Sequence, residues 1–171
     1  MGFLNQKTVV VVGLASNKSI AYGVAKAMHA QGAKLIITYQ NERLKARVEK
    51  LTQAFDPIAY VQCDVSTDHE VDNMMQTLQK ANITIDCLVH SIAFAPADQL
   101  TGNFVDNITR EGFLTAHEIS SYSLTCMAKY ARQYQLFAPK ASIVTMTYLG
   151  SEKAVVNYNT MGLAKASLEA N

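Results

Sequence analysis

The chain lacks net charge: over 171 residues the formal balance is +1. That excludes the electrostatic footprint of a nucleic-acid binder or of a protein held on an anionic membrane. It is also poor in cysteine. Cys63, Cys87 and Cys126 are odd in number, widely spaced and in no Cys-x-x-Cys pair. Neither a disulfide framework nor a zinc site is indicated, and a reducing cytoplasmic setting fits. No apolar run approaches the ~20 residues of a membrane-spanning helix. The run from Val9 to Ala15 is short and gives way to Ser16, Asn17 and Lys18, which reads as a buried strand rather than the core of a signal peptide. Met1-Gly2 opens like a myristoylation site, but Gln6 stands where Ser or Thr is wanted. The Asn-x-Ser/Thr triplets at Asn17, Asn82 and Asn107 carry no weight in a cytosolic protein. Linkers, repeats and low-complexity segments are missing as well, so the length fits one domain over residues 1–171.

What is present is an alternation of short apolar runs with longer periodic ones. T-V-V-V-V, residues 8–12, is a continuous β-branched run, as in a strand buried on both faces. Ile20, Val24, Ala27 and Met28 follow helix spacing, and Gly32 sits where that helix would end. Residues 34–39 read as a second strand. Leu44, Val48, Leu51 and Phe55 mark an amphipathic helix, and 58–62 is a third strand. Val71, Met74, Met75 and Leu78 mark a third helix, followed by a fourth strand over 85–89. A looser loop runs from Phe94 to about Thr109, and a long helix from about Arg110 to Tyr134. Residues 141–146 form the fifth strand, and the last helix starts near Asn157. The order βαβαβαβαβα predicts an α/β, Rossmann-like, doubly wound parallel sheet with helices on both faces. Ligands of such sheets bind beyond the C-terminal strand ends, so the informative residues should follow each strand.

After the first strand comes G-L-A-S-N-K-S-I-A-Y-G, residues 13–23, which departs from G-x-G-x-x-G because Ala15 replaces the second glycine. Gly13 permits a tight turn and Ala15 a close backbone approach. Ser16, Asn17 or Ser19 can cap the helix, whose N–H groups suit a pyrophosphate. Gly23 would let the helix approach the sheet. A plain strand–turn–helix explains the same residues. After the second strand, Gln40 can hydrogen-bond a ribose 2′-hydroxyl without charge, whereas Arg43 could accept a 2′-phosphate; NADH is expected over NADPH. After the third, Asp64 can accept from an adenine amino group while the Val65 N–H donates to the ring, or Asp64 caps a helix. After the fourth, Ser91, Ile92 and Ala93 could lie along a nicotinamide ribose, and His90 is expected to be a neutral, packed side chain. After the fifth come Tyr148 and Y-N-T-M-G-L-A-K. Residues seven apart on a helix lie about 20° from alignment, so Tyr158 and Lys165 share a face. An ammonium near a phenol favours the phenolate, and such a hydroxyl could stabilise an oxyanion. Alternatively the helix has one core tyrosine and one solvent lysine.

The residues G-L-A-S-N-K-S-I-A-Y-G, T-Y-Q-N, Q-C-D-V, H-S-I-A-F-A-P, T-R-E-G-F and I-S-S-Y-S resemble the short-chain dehydrogenase/reductase superfamily. Within it, the Tyr158-x6-Lys165 spacing with Tyr148 ten residues upstream resembles the NADH-dependent bacterial enoyl-acyl carrier protein reductases, whereas ordinary members space the pair Tyr-x3-Lys. The resemblance runs from M-G-F-L to L-E-A-N. It implies reduction of the trans-2 double bond of an acyl thioester on acyl carrier protein, in fatty-acid elongation. Tyr158 would hydrogen-bond the thioester oxygen, Lys165 would hold the nicotinamide ribose, and Tyr148 would shape the acyl pocket, with Ala95 also meeting substrate. Gly13, Ser19 and Ile20 would meet the pyrophosphate, Gln40 the adenine ribose, Asp64 and Val65 the adenine, and Ser91, Ile92 and Ala93 the nicotinamide half. No metal is implied. A homotetramer is implied, built partly on the Arg110–Tyr134 helix and the helix of Lys165, where Ala164, Ala166, Ser167 and Ala170 suit close packing.

Two departures stand out. Val156 lies where relatives often carry proline, and the family continues past Asn171 through two more strands, a substrate-covering segment and a tail. The chain is therefore expected to be C-terminally truncated. Two other readings remain: a catalytically silent dinucleotide-binding module, and a 3-oxoacyl or other carbonyl reductase of the same superfamily, which the Tyr-x6-Lys spacing disfavours.

Overall fold

The computed structural model describes residues 2–171; Met1, half of the Met1-Gly2 terminus weighed above, lies outside the described residues. Two compact units divide the chain. The first takes the residues up to Ser91 together with Lys129–Thr145, and the second Ile92–Ala128 with Met146–Asn171.

The first unit holds the sheet. Its strands are β1 (Thr8–Val12), β2 (Lys34–Tyr39), β3 (Ala59–Gln62), β4 (Ile85–His90) and β5 (Phe137–Thr145), all parallel, in the order β3-β2-β1-β4-β5. Helices α1 (Ile20–Ala30), α2 (Glu42–Thr52) and α3 (Asp68–Lys80) supply the crossovers. Right-handed crossovers that run outward from β1 to β3 and then return to β4 place α1 and α2 on one face and α3 on the other. Val9, Val10 and Val11 in β1, Leu35, Ile36 and Ile37 in β2, and Leu88 and Val89 in β4 are fully buried, each contributing about 1.5–3 kcal/mol relative to exposure. Local signals set the helix starts. Ser19, Asn41 and Thr67 each accept an N–H of the first turn, from Tyr22, Leu44 and Glu70 respectively. The α1 helix ends on Gly32 at φ 87°, with the Gly32 N–H on His29 O at 2.8 Å.

The structure changes three expectations here. The buried face of α1 is Ala21 and Ala25, not the stripe of Ile20, Val24, Ala27 and Met28; Ile20 is 63% exposed. Gly23 is not needed for close packing, because a Cβ there would meet nothing within 4 Å. The small side chains of Ala21 and Ala25 provide the close approach instead. The β5 strand is longer than the expected 141–146 and is the outer strand of the five in the described sheet. Its Ile143 and Val144 remain 44% and 38% exposed.

In the second unit, α4 (Phe104–Asn107) and α5 (Arg110–His117) precede a π-helical turn, Glu118–Tyr122, which passes into α6 (Ser123–Gln133), whose residues from Lys129 onward belong to the first unit. The expected long helix has the right extent, but its middle is not α-helical. Ser123 Oγ donates to Ile119 O at 2.7 Å, the kind of back-bond that competes with the regular helical ladder. The last helix, α7, spans Asn159–Ala170. An apolar cluster of Ala95, Ala116, Met161 and Ala164, with Leu100 and Tyr158 packed against it, forms the core of this unit.

Candidate active site

The sequence-derived residues fall into two sets, one in each unit. In the first, Gly13 follows β1 at φ 99°, a conformation that glycine adopts without the steric cost a side chain incurs. Ser19 caps α1: its Oγ accepts the Tyr22 N–H at 3.2 Å and donates to Ser16 O at 2.7 Å. The first turn of α1 has no acidic residue, whereas α2 has Glu42 and α3 has Asp68 and Glu70. The positive end of the α1 dipole is thus left without a carboxylate of its own, which suits an external phosphate. Ile20 lies exposed at the first helical position.

Gln40 and Asp64, at the ends of adjacent strands, are joined: Gln40 Nε2 donates to Asp64 Oδ2 at 3.0 Å. Asp64 is not the helix cap; Thr67 is, and the Asp64 carboxylate instead accepts the Ser66 N–H at 3.0 Å. Burial pushes the Asp64 carboxyl up, but bonds from Ser66 and Gln40 outweigh it and hold the group below its ordinary range. Val65 is half-buried beside it, and Arg43 is exposed on α2. The Ser91 N–H donates to Val12 O at 3.0 Å, which fixes the chain where it leaves β4, beside the turn that begins at Gly13. Between β1 and β4 the strand order reverses, the usual crevice for a nucleotide. His90 is fully buried, with Nδ1 2.9 Å from Thr145 Oγ1, a packed side chain as expected.

In the second unit, Lys165 is 3% exposed, so it is not a solvent lysine. Its Nζ donates to Met146 O at 2.5 Å and to Ile92 O at 3.5 Å. An ammonium carries three N–H donors, and two carbonyls leave one for a further partner. Burial lowers the Lys165 pKa, with Glu169 acting the other way. Tyr158 is half-buried, and its ring meets that of Tyr148 edge-on, with centroids 4.8 Å apart at 64°. Burial, and then Tyr148, push the Tyr158 phenol above its ordinary 10.0.

Two sequence arguments fail at this point. Tyr158 precedes α7 as its N-terminal flank, φ −97° and ψ −29°, so helix periodicity does not align it with Lys165. Its pKa moves away from the phenolate, and Lys165 is not among the groups that shift it. The group is a neutral donor at pH 7 rather than a partly ionised one.

Four further residues support this unit, and no motif marked their roles. Ser120, in the π turn, accepts the Phe94 N–H at 2.9 Å and donates to Phe94 O at 3.0 Å, pinning the segment that carries Ile92 and the exposed Ala93. The run of serines inside I-S-S-Y-S was the available signal, since serine is a weak helix former. Met146 contributes only a carbonyl. Gly150 underlies Tyr158: a Cβ there would lie 2.3 Å from Tyr158 Cδ1. Glu169 accepts the Thr147 hydroxyl and also bonds Ser151, and these two hold its carboxyl below the ordinary range. The loop that carries Tyr148 is therefore tied to α7. A pocket of about 350 Å³ opens beside Tyr158, lined also by Phe104, Gly150, Val155, Gly162 and Leu163. The buried Ala95 belongs to the same apolar cluster as Tyr158. Among the described residues no cluster of His, Cys, Asp and Glu could hold a metal, and no helix is long and apolar enough to cross a membrane.

A family model, the enoyl-(acyl carrier protein) reductases, matches residues 13–171. The chain belongs to this family. The enoyl-acyl-carrier-protein reductase (NADH) FabI of Escherichia coli strain K12 is 52% identical over 171 residues, all of this chain and 64% of that one. The enzyme of the same name from Enterococcus faecalis is 53% identical over 167 residues, 98% of this chain and 65% of that one. Among solved structures, the Anaplasma phagocytophilum reductase in complex with NAD superposes with a TM-score of 0.93 at 42% identity, covering 99% of this chain and 65% of that one. The Bacillus cereus reductase with NADP+ and an indole naphthyridinone gives 0.94 at 45%, over 99% and 66%. The chain thus spans about 64% of the length of the curated reductases it matches.

Proposed function

We propose that this member of the enoyl reductase family reduces the trans-2 double bond of enoyl thioesters carried on acyl carrier protein, with NADH, in fatty-acid elongation. The observation that carries the reading is Tyr158, a half-buried phenol packed edge-on to Tyr148 beside an open pocket, in the same unit as the buried Lys165. The first unit suits the cofactor: Gly13 at positive φ and the acid-free start of α1 fit a pyrophosphate. Gly13, Ser19 and Ile20 hold that group, Gln40 the adenine ribose, Asp64 and Val65 the adenine, and Ser91, Ile92, Ala93 and Lys165 the nicotinamide half. Gln40, uncharged and bonded to Asp64, favours a free 2′-hydroxyl, so NADH is preferred to NADPH. When bound, NADH supplies a hydride to the β-carbon of the enoyl group, and a proton then completes the α-carbon. Tyr158 donates its hydrogen bond to the thioester oxygen, where negative charge develops; a neutral donor in a partly desolvated position is worth most there. The remaining Lys165 N–H adds positive potential and holds ribose hydroxyls. Tyr148, packed edge-on to Tyr158, shapes the acyl pocket with Ala95. A cytoplasmic homotetramer completes the reading, supported by the exposed Leu114, Tyr122 and Leu163.

The test is product analysis: the purified chain, a trans-2-enoyl thioester and NADH, with thioesters resolved by mass spectrometry. A saturated thioester, formed faster with NADH than with NADPH, is expected. No saturated product with either nucleotide refutes the reductase reading and leaves a nucleotide-binding module.

A further inference from the structure

Gln99 is 1% exposed, although it lies in a short turn, Ala97–Leu100, within a largely exposed loop. Its side-chain amide is fully used. Nε2 donates to Asn107 O at 2.9 Å and to Asp98 Oδ2 at 3.3 Å. Oε1 accepts the Thr109 N–H at 3.2 Å and the Thr160 hydroxyl at 3.4 Å. Gly112 on α5 makes room for it: a Cβ at Gly112 would lie 2.3 Å from Gln99 Cδ and 2.4 Å from Cγ. A buried amide so placed cannot be removed without leaving several polar groups unpaired.

None of these contacts involves Tyr158 itself, yet the loop's tethers end on the two residues that follow it. Thr160, fully buried, bonds Gln99, and Asn159 Nδ2 donates to Gly102 O at 3.3 Å. Leu100, the next residue after Gln99, packs in the apolar cluster that includes Tyr158. Tyr158 is flanked by two left-handed residues, Asn157 at φ 61° and Asn159 at φ 40°. Such conformations persist only where the surroundings over-determine them. Of this turn, Asn159 is tied to the 97–109 loop through Gly102, as is Thr160 after it through Gln99, the buried hub of that loop.

We infer that Gln99 is a positioning residue for Tyr158: by fixing Thr160 and the 97–109 loop it holds the left-handed Asn159 and the start of α7, and so aims the phenol that precedes them. The inference rests on the reading that Tyr158 carries the chemistry. It acts through Tyr158, so its loss should matter only while the phenol is present.

The experiment compares Gln99→Met and Gln99→Glu with the parent chain, each in wild-type and Tyr158→Phe backgrounds. With a trans-2-enoyl thioester, kcat is expected to fall on the order of 10²-fold, the effect of a misplacement near 1 Å, with NADH affinity unchanged. In the Tyr158→Phe background the further loss should vanish. Equal losses in both backgrounds, or an unchanged kcat, overturn the inference. A second readout does not need turnover. In protein labelled with 13C at tyrosine Cζ, the Tyr158 signal, assigned by its absence in Tyr158→Phe, should shift in the folded Gln99 variants while that of Tyr60 stays in place. An unmoved Tyr158 signal overturns the inference even if the parent chain is inactive, a result that would itself refute only the reductase reading. If Gln99→Met does not fold, Gln99→Glu decides: it loses the donor to Asn107 O and sets a second carboxylate beside Asp98, which releases the 97–109 loop.

Discussion

In the first unit each candidate residue is positioned by the element it terminates: Gly13 by the end of β1, Ser19 by the start of α1, and Gln40 and Asp64 by two strands already paired side by side. In the second unit the candidate residues are held across long stretches of chain. Lys165 reaches carbonyls 19 and 73 residues away, and Gln99 bonds Thr160 across 61 residues. Packing differs in the same sense. Among the glycines inside helical segments, Gly23 in the first unit faces open space, whereas Gly112, Gly150 and Gly162 in the second each have a heavy atom within 2.7 Å of where a Cβ would stand. A nucleotide cradle needs backbone geometry and tolerates its surroundings. A phenol aimed at one oxygen, the role proposed for Tyr158, needs rigid support from many sides, and the second unit supplies such support.

The comparison can be broken in five places. The largest effect is expected from Tyr158→Phe, which removes the proposed oxyanion donor: kcat should drop by about 10²–10³-fold with NADH affinity unchanged, read by steady-state turnover and fluorescence titration. Lys165→Met comes next. It leaves the Met146 and Ile92 carbonyls without their cationic donor, and NADH affinity should fall by about 10–10²-fold, the worth of a charged hydrogen bond; unchanged affinity would remove Lys165 from the cofactor. Gly150→Ala forces a Cβ against the Tyr158 ring and should cost about 1–3 kcal/mol, measured by denaturant unfolding. Gly23→Ala, the matched change in the first unit, should instead stabilise by about 0.5–1 kcal/mol, seen as a raised melting temperature; a loss would show that α1 has no room. The smallest effect is acid-dependent. The Asp64 carboxyl lies lower in the folded than in the unfolded chain, so its contribution is present above the ordinary value of 3.8 and is lost as pH falls through the folded value. The stability difference between wild type and Asp64→Asn should therefore stay constant from neutral pH to about pH 4 and shrink only below it.

Much of the first unit was legible because its chemistry coincides with strand ends and caps: β-branched runs give the strands, and Gly13, Gly32 and Ser19 announce themselves by residue type. Asp64 was ambiguous because a carboxylate after a strand caps helices as readily as it binds ligands, and the Thr67 cap removes only the first of these readings. The second unit was read by resemblance more than by physics. The periodicity argument for Tyr158 and Lys165 fails because the chain turns at left-handed Asn157 and again at Asn159, the first residue of α7. Burial of Lys165 depends on two carbonyls that have no sequence signature, and the π turn is hinted at only by serines. The α1 face was misassigned because alanine, lightly weighted in an apolar pattern, is what sits against a sheet at close range.

The most direct test of the account is NADH oxidation by the purified chain, measured in parallel with a trans-2-enoyl thioester and a 3-oxoacyl thioester. The account predicts consumption with the enoyl substrate alone. Consumption with the 3-oxoacyl substrate in its place would contradict it and assign Tyr158 to carbonyl reduction.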